Sequence, residues 1–399
     1  MALFDKFKKL ADARAALMAT EPCPLGTRID EVFSPTQGRI GDQEVILAGT
    51  NNYLGLTFNS DCIAAAHHAL DAEGSGTTGS RLANGNYSGH QALEIELARF
   101  FERPSAIVFS TGYMANLGLI GTLVGPGDTV VLDADCHASI YDACRLAGVD
   151  VIRFRHNDPR DLDKRLGRLG DKIDSTLIIV EGIYSMLGDR APLKEIVAVK
   201  RQHGGYLVVD EAHSMGVMGE HGRGLAEAEG VEADVDFVVG TFSKSLGAIG
   251  GFAVSHHREL DTVRLASRPY IFTASPSPAT IASVRVALDI VANRPALRHQ
   301  LWSNAERLYA GLAHAGYELG PQSGPVTAAL LDSPQQAVAF WHALLEHGVY
   351  VNLVLPPATP GGRALVRVSV SAAHDTTQID RIIEAFTTLK PMLSSSAKP

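Results

Sequence analysis

A single lysine stands in the stretch GTFSKSLGAIGG (240–251), where Ser243 and Ser245 flank Lys244 and no carboxylate occurs. An amine enclosed by a fold without a local counter-ion has a depressed pKa and is nucleophilic. Three more segments put polar groups at the ends of apolar runs. VFSTGYMAN (108–116) reads as a strand, a small-residue turn and a helix. Free N–H groups at such a helix start can cradle a phosphate, with Gly112 permitting close approach and Tyr113 lying nearby. YLVVDEAHS (206–214) ends a buried strand on Asp210. That carboxylate is either a helix cap or ion-pair partner, or the group that keeps a heteroaromatic nitrogen protonated. In the second case His213 can reach a neighbouring ring oxygen. DADCHAS (133–139) sets His137 at another strand end, as a structural histidine or as a face that stacks on a flat ring.

The combination is more specific than its members. A phosphate cradle, a stacking ring, an acid for a pyridine nitrogen and an amine for an aldehyde together describe pyridoxal 5′-phosphate (PLP), whose enzymes need a lysine and an acidic partner for the ring nitrogen. Other ligand motifs fail on context. GSGTTG (74–79) has dinucleotide-fingerprint spacing, but a helical stretch precedes it instead of a strand. GxxxxGK[ST] is absent, and His67-His68 lacks the HExxH pattern.

Such groups need a scaffold that brings strand ends together. Short apolar runs at 106–110, 128–133, 151–154, 176–181, 206–211, 237–241 and 251–255 alternate with helical patterns such as 89–102, 138–147 and 192–203. Near-continuous β-branched runs between helices predict an α/β fold with a large, mostly parallel seven-stranded sheet covered on both faces. Ligands then sit beyond the carboxyl ends of the strands, which puts the polar residues above on one rim. A long helical pattern over 280–315 separates this region from PVTAALLD, a helix near 334–347, GVYVNLVL, ALVRVSVS and a closing helix near 376–392. The expected organisation is an N-terminal helix and arm (1–48), a large α/β domain (49–285) and a small α+β domain (286–399).

Composition narrows the class. The 399 residues carry a net charge of −9, which argues against a nucleic-acid partner. No apolar run approaches the roughly 18–20 residues of a membrane span. The N-terminus reads as a short amphipathic helix that packs on protein or touches a membrane surface peripherally. The four cysteines (Cys23, Cys62, Cys136, Cys144) form no CxxC pair and suit neither zinc nor a disulfide framework. A reducing, cytoplasmic setting follows.

The segments NNYLG (51–55), STGYMAN, DADCHASI, EGIYSMLGD (181–189), DEAHSMG (210–216) and GTFSKSLGAIGG together resemble the α-oxoamine synthase family of fold-type-I PLP enzymes, over about residues 30–390. RPYIFTAS (268–275) and PPATP (356–360) look like the branch of that family that condenses L-serine with a palmitoyl thioester. The resemblance implies a decarboxylative Claisen condensation giving 3-ketodihydrosphingosine. Lys244 then matches the Schiff-base lysine and general base, Asp210 the ring-nitrogen partner, His213 the residue near the ring hydroxyl, and His137 the stacked histidine. Gly112, Tyr113, Thr241 and Ser243 match the surroundings of the phosphate and the lysine, and Ser185 is a further cofactor-binding candidate. Asn52 and Arg367 match groups near the substrate carboxylate. Thr273, in FTAS, matches a residue that reaches the phosphate of the neighbouring subunit, which implies a homodimer with shared sites. Leu355 stands where some relatives carry an arginine, so Arg367 or Arg363 has to hold the carboxylate. Long-chain acyl-CoA is the expected donor, with acyl carrier protein as the alternative. Rival readings are sister reactions with glycine or alanine, an aminotransferase, and a non-catalytic scaffold subunit.

Overall fold

The computed structural model describes residues 3–18 and 22–395. Its first sheet contains β1 (Glu31–Ser34), β2 (Gln37–Ile40) and β3 (Gln43–Leu47), an antiparallel meander. The main sheet follows with β4 (Ser105–Phe109), β5 (Thr129–Asp133), β6 (Asp150–Phe154), β7 (Thr176–Glu181), β8 (Tyr206–Asp210), β9 (Phe237–Thr241) and β10 (Gly251–Ser255). The last part of the chain adds β11 (Val326–Leu331), β12 (Val349–Tyr350), β13 (Asn352–Val354) and β14 (Ala364–Ser369).

The seven-stranded sheet has the order β4-β10-β9-β8-β7-β5-β6, and β10 alone runs against its neighbours. β4, β5, β7, β9 and β10 are buried along their whole length, and β8 is buried after its first residue, because helices cover both faces. Successive residues feed opposite layers. Ile178 and Val180 enter one apolar cluster, Leu177 and Ile179 the other. Of the two edge strands, β6 is exposed over much of its length while β4 is buried throughout.

Register brings the polar strand ends to one rim. Gly251 lies opposite both Phe109 and Thr241, and Glu181 pairs with Asp210 across β7 and β8. A Cβ on Gly251 would sit 2.5 Å from the Thr111 carbonyl oxygen and 2.6 Å from the Gly112 nitrogen. A glycine is therefore required where the β4 turn passes over the start of β10.

Two expectations change in detail. The pattern over 280–315 is two helices, Pro278–Asn293 and Ala296–His314. Pro295 cannot donate to the preceding turn, and Arg294 before it adopts non-helical angles. GVYVNLVL is split at Val351: β12 pairs in parallel with β3, while β13 pairs with β14. The N-terminal meander is thus joined to the C-terminal part of the chain by a strand pair. The predicted N-terminal helix is present as Lys8–Met18 after a 3-10 turn, with Leu3, Phe4, Phe7 and Leu10 exposed. The terminal SSSAKP lies mostly outside the described residues.

Candidate active site

The carboxyl ends of β4, β5, β7, β8 and β9 surround a cavity of about 370 Å³. Its lining includes Gly112, Tyr113, His137, Asp210, His213, Thr241, Ser243 and Lys244, all singled out from sequence. The segment after β9 doubles back to β10, and this reversal delivers Lys244 to the rim.

At the end of β4, the Thr111 side chain caps the helix Gly112–Leu123 by accepting from the Met114 N–H at 3.1 Å. The Gly112 and Tyr113 N–H groups have no partner among the described residues, so they remain free at the mouth of the helix. Across from them the Thr241 and Ser243 hydroxyls lie 2.9 Å apart. A Cβ on Gly112 would approach Thr241 Cβ to 2.8 Å, so only glycine lets these two walls come this close.

His137 caps the helix Ala138–Ala147, and its Nδ1 accepts from the Ser139 N–H at 3.3 Å. The Ser139 hydroxyl lies 2.7 Å from the same nitrogen and accepts from Asn116 Nδ2 at 3.0 Å. Asn116 Nδ2 also donates to Asp210 Oδ2 at 2.8 Å. A continuous chain of bonds therefore links the His137 ring to the Asp210 carboxylate, both in the cavity lining. It assigns Nδ1 of His137 as an acceptor, which leaves the proton on Nε2. Asp210 Oδ1 accepts from the Ala212 N–H at 2.9 Å.

Burial depresses Lys244 to about 8, with Asp210 and Glu181 pulling the other way and Arg367 reinforcing the drop. A useful fraction of the amine is then unprotonated near neutral pH. Burial also lowers His137, against the charge of Asp210. It lowers His213 strongly, helped by Lys244 and Arg367, so both rings are neutral. His213 Nδ1 sits 2.7 Å from the hydroxyl of the fully buried Tyr53.

Four predicted residues lie outside the cavity lining. Arg367 on β14 is buried and donates to the Ser185 carbonyl at 2.6 Å, Ser369 Oγ at 2.8 Å and Asn51 Oδ1 at 3.2 Å. The same guanidinium also interacts with the buried Tyr53 hydroxyl, whose pKa burial raises and Arg367 pulls down. Ser185 thus contributes its main-chain oxygen to Arg367. Asn52 is buried and donates to Thr57 Oγ1 at 2.7 Å, while its Oδ1 has no partner. Thr273 follows the short helix Arg268–Ile271 and does not line this chain's own cavity. Arg363, the alternative carboxylate group, pairs instead with Glu318 at 2.6 Å.

Sequence reasoning missed Asn116, Ser139 and Tyr53; it placed Glu181 on the rim at the end of its strand, where it lines the cavity, but gave it no role. Glu181 accepts from the His137 N–H, and burial together with the neighbouring Asp210 holds its carboxyl well above the usual range. A signal existed for two of them: Asn116 lies one helical turn past Gly112, and Ser139 is two residues past His137.

The donor set fits PLP. Free N–H groups and two hydroxyls suit a phosphate, His137 a ring face, Asp210 a pyridine nitrogen, and Lys244 an aldehyde. Similarity to known proteins agrees with this chemistry. A profile of aminotransferase class I and II matches residues 43–386. The chain belongs to this family. Among other members of the aminotransferase class I and II family, the serine palmitoyltransferase of Caulobacter vibrioides is 58% identical over 97% of this chain and 96% of its own. A structure of the S. paucimobilis serine palmitoyltransferase with a bound PLP–myriocin aldimine superposes with a TM-score of 0.96, at 47% identity, covering 99% of this chain and 100% of that one. An 8-amino-7-oxononanoate synthase of Anaeromyxobacter dehalogenans is 37% identical over 91% of this chain and 92% of its own.

Proposed function

We propose that this protein is a PLP-dependent acyltransferase that condenses L-serine with a palmitoyl thioester, releasing CO2 and the thiol and forming 3-ketodihydrosphingosine. The observation that carries the reading is the depressed amine of Lys244 in one cavity with His137 and Asp210. The 58% identity to a serine palmitoyltransferase supports the choice of serine and a long acyl chain. When bound, PLP supplies an electron sink for negative charge at the amino-acid Cα.

The chain's own residues do the rest. Lys244, with its lowered pKa, holds the amine that removes the Cα proton. Asp210, fixed by Asn116 and the Ala212 N–H, keeps a proton on the ring nitrogen. The neutral His137 packs against the ring face and offers Nε2–H to the substrate carboxylate. Arg367 supplies its charge to the same carboxylate. Holding that carboxylate keeps the C–H bond, not the C–C bond, aligned for cleavage first. Thr273 reaches the phosphate of a partner subunit in a homodimer. The acyl donor is long-chain acyl-CoA, with acyl carrier protein as the alternative carrier. No helix among the described residues is long and apolar enough to cross a membrane.

Mass spectrometry of products from serine, glycine and alanine, each with palmitoyl-CoA, tests the reading. A serine-dependent C18 amino ketone, lost in Lys244→Ala, is expected. Product from glycine or alanine alone would transfer the assignment to a sister reaction.

A further inference from the structure

His156 lies two residues past β6, outside the cavity lining, yet it touches two segments that build the site. Its Nδ1 donates to Asp133 Oδ1 at 2.8 Å and its Nε2 to Asp189 Oδ2 at 2.6 Å. Asp135 approaches the Nδ1 side at 3.8 Å, and the Tyr184 ring packs edge-on at 4.5 Å between centroids. Burial alone would lower this histidine, but the hydrogen bonds and charges of Asp133 and Asp189 outweigh it and raise it to about 10. Both nitrogens therefore carry protons at neutral pH. The next residue repeats the bridge: the Asn157 N–H donates to Asp133 Oδ2 and its Nδ2 to Asp189 Oδ2, both at 2.8 Å.

Each carboxylate belongs to a working segment. Asp133 starts the turn that presents His137, and its Oδ1 also accepts from the Asp135 N–H at 2.9 Å. Asp189 closes the 182–190 loop, where its carbonyl accepts from the Tyr184 N–H at 2.8 Å. That loop presents the Ser185 carbonyl to Arg367. We propose that His156 is a positioning residue, a cationic clamp that fixes the His137 turn against the loop that holds Arg367. It thereby sets the distance between the two groups that hold the substrate carboxylate. The assignment of that carboxylate rests on the proposed function; the clamp itself rests on the contacts above.

The test uses the full-length, cofactor-loaded protein. In His156→Gln, amide hydrogen exchange is expected to rise together in segments 133–137 and 182–190, while 206–214 keeps its protection. The KM for serine is expected to rise about tenfold with PLP loading unchanged, as a small misplacement of binding groups requires. A merely structural residue would lower the melting temperature without this split. Exchange that rises in one segment only, or an unchanged KM in a folded and loaded variant, overturns the proposal. Should His156→Gln not fold, Asp189→Asn weakens the loop side alone. Faster exchange confined to 182–190 with a raised serine KM is then expected, and no change in either overturns the clamp. A wild-type protein without serine-dependent product would remove the proposed function and leave the exchange result to decide the clamp.

Discussion

Glu181 shows how one side chain's environment changes its chemistry. It lies beside Asp210 in the sheet register, and two neighbouring carboxylates in a buried rim do not both ionise easily. Burial and the neighbouring Asp210 push its pKa up and so favour the neutral carboxyl, whose oxygen accepts from the His137 N–H. Glu181→Gln keeps an acceptor oxygen in that place, so kcat/KM at pH 7 should stay within about threefold of wild type. Glu181→Ala leaves the buried N–H unpaired, a loss worth about 1–3 kcal/mol, and should cost both stability and turnover. Steady-state kinetics and thermal unfolding of the pair check this; a tenfold or greater loss in the glutamine variant would mean that the working carboxyl is ionised.

At the scale of elements, the active rim is a set of strand ends held in register, and the turns beyond them need their own ties. The β5 turn and the 182–190 loop are tied through His156. Its folded pKa of about 10 lies above the ordinary value of about 6.5, so the protonated form is the one that folding favours. The stabilisation is whole below about pH 6.5 and declines as pH rises toward 10. The melting-temperature gap between wild type and His156→Gln should therefore be widest near pH 6 and narrow by pH 10. A gap that widens with pH would contradict the sign of this linkage.

For the whole molecule, the proposed homodimer has Thr273 complete the partner's site, since it lies outside the lining of its own chain's cavity. The chain should elute at about twice 42.5 kDa. Thr273→Asp would place a negative charge against the partner's phosphate and Lys244→Ala removes the amine, so each homodimer should be inactive. Co-expressed, half of the dimers are mixed, and each mixed dimer holds one site free of both lesions. Activity of about one quarter of wild type is the expected recovery. No recovery from verified mixed dimers would mean that each chain builds its site alone.

Local chemistry made much of this legible in the chain. Seven apolar, largely β-branched runs between helical patterns read as a buried, mostly parallel sheet, and Lys244, Asp210, His137 and Gly112 sit at or just past the ends of those runs. The Pro295 break and the split of GVYVNLVL at Val351 were harder to read, because helix and strand periodicity carry no record of which sheet a strand joins. The residues that tune the site were harder still. Asn116, Ser139, Tyr53 and His156, and the role of the rim residue Glu181, depend on partners up to 160 positions away in sequence. The sequence by itself determined which residue types stand at the strand ends. Only tertiary packing decided which of them share a buried space, because desolvation and hydrogen-bond geometry, the two quantities that set proton affinity here, exist only once distant segments have met.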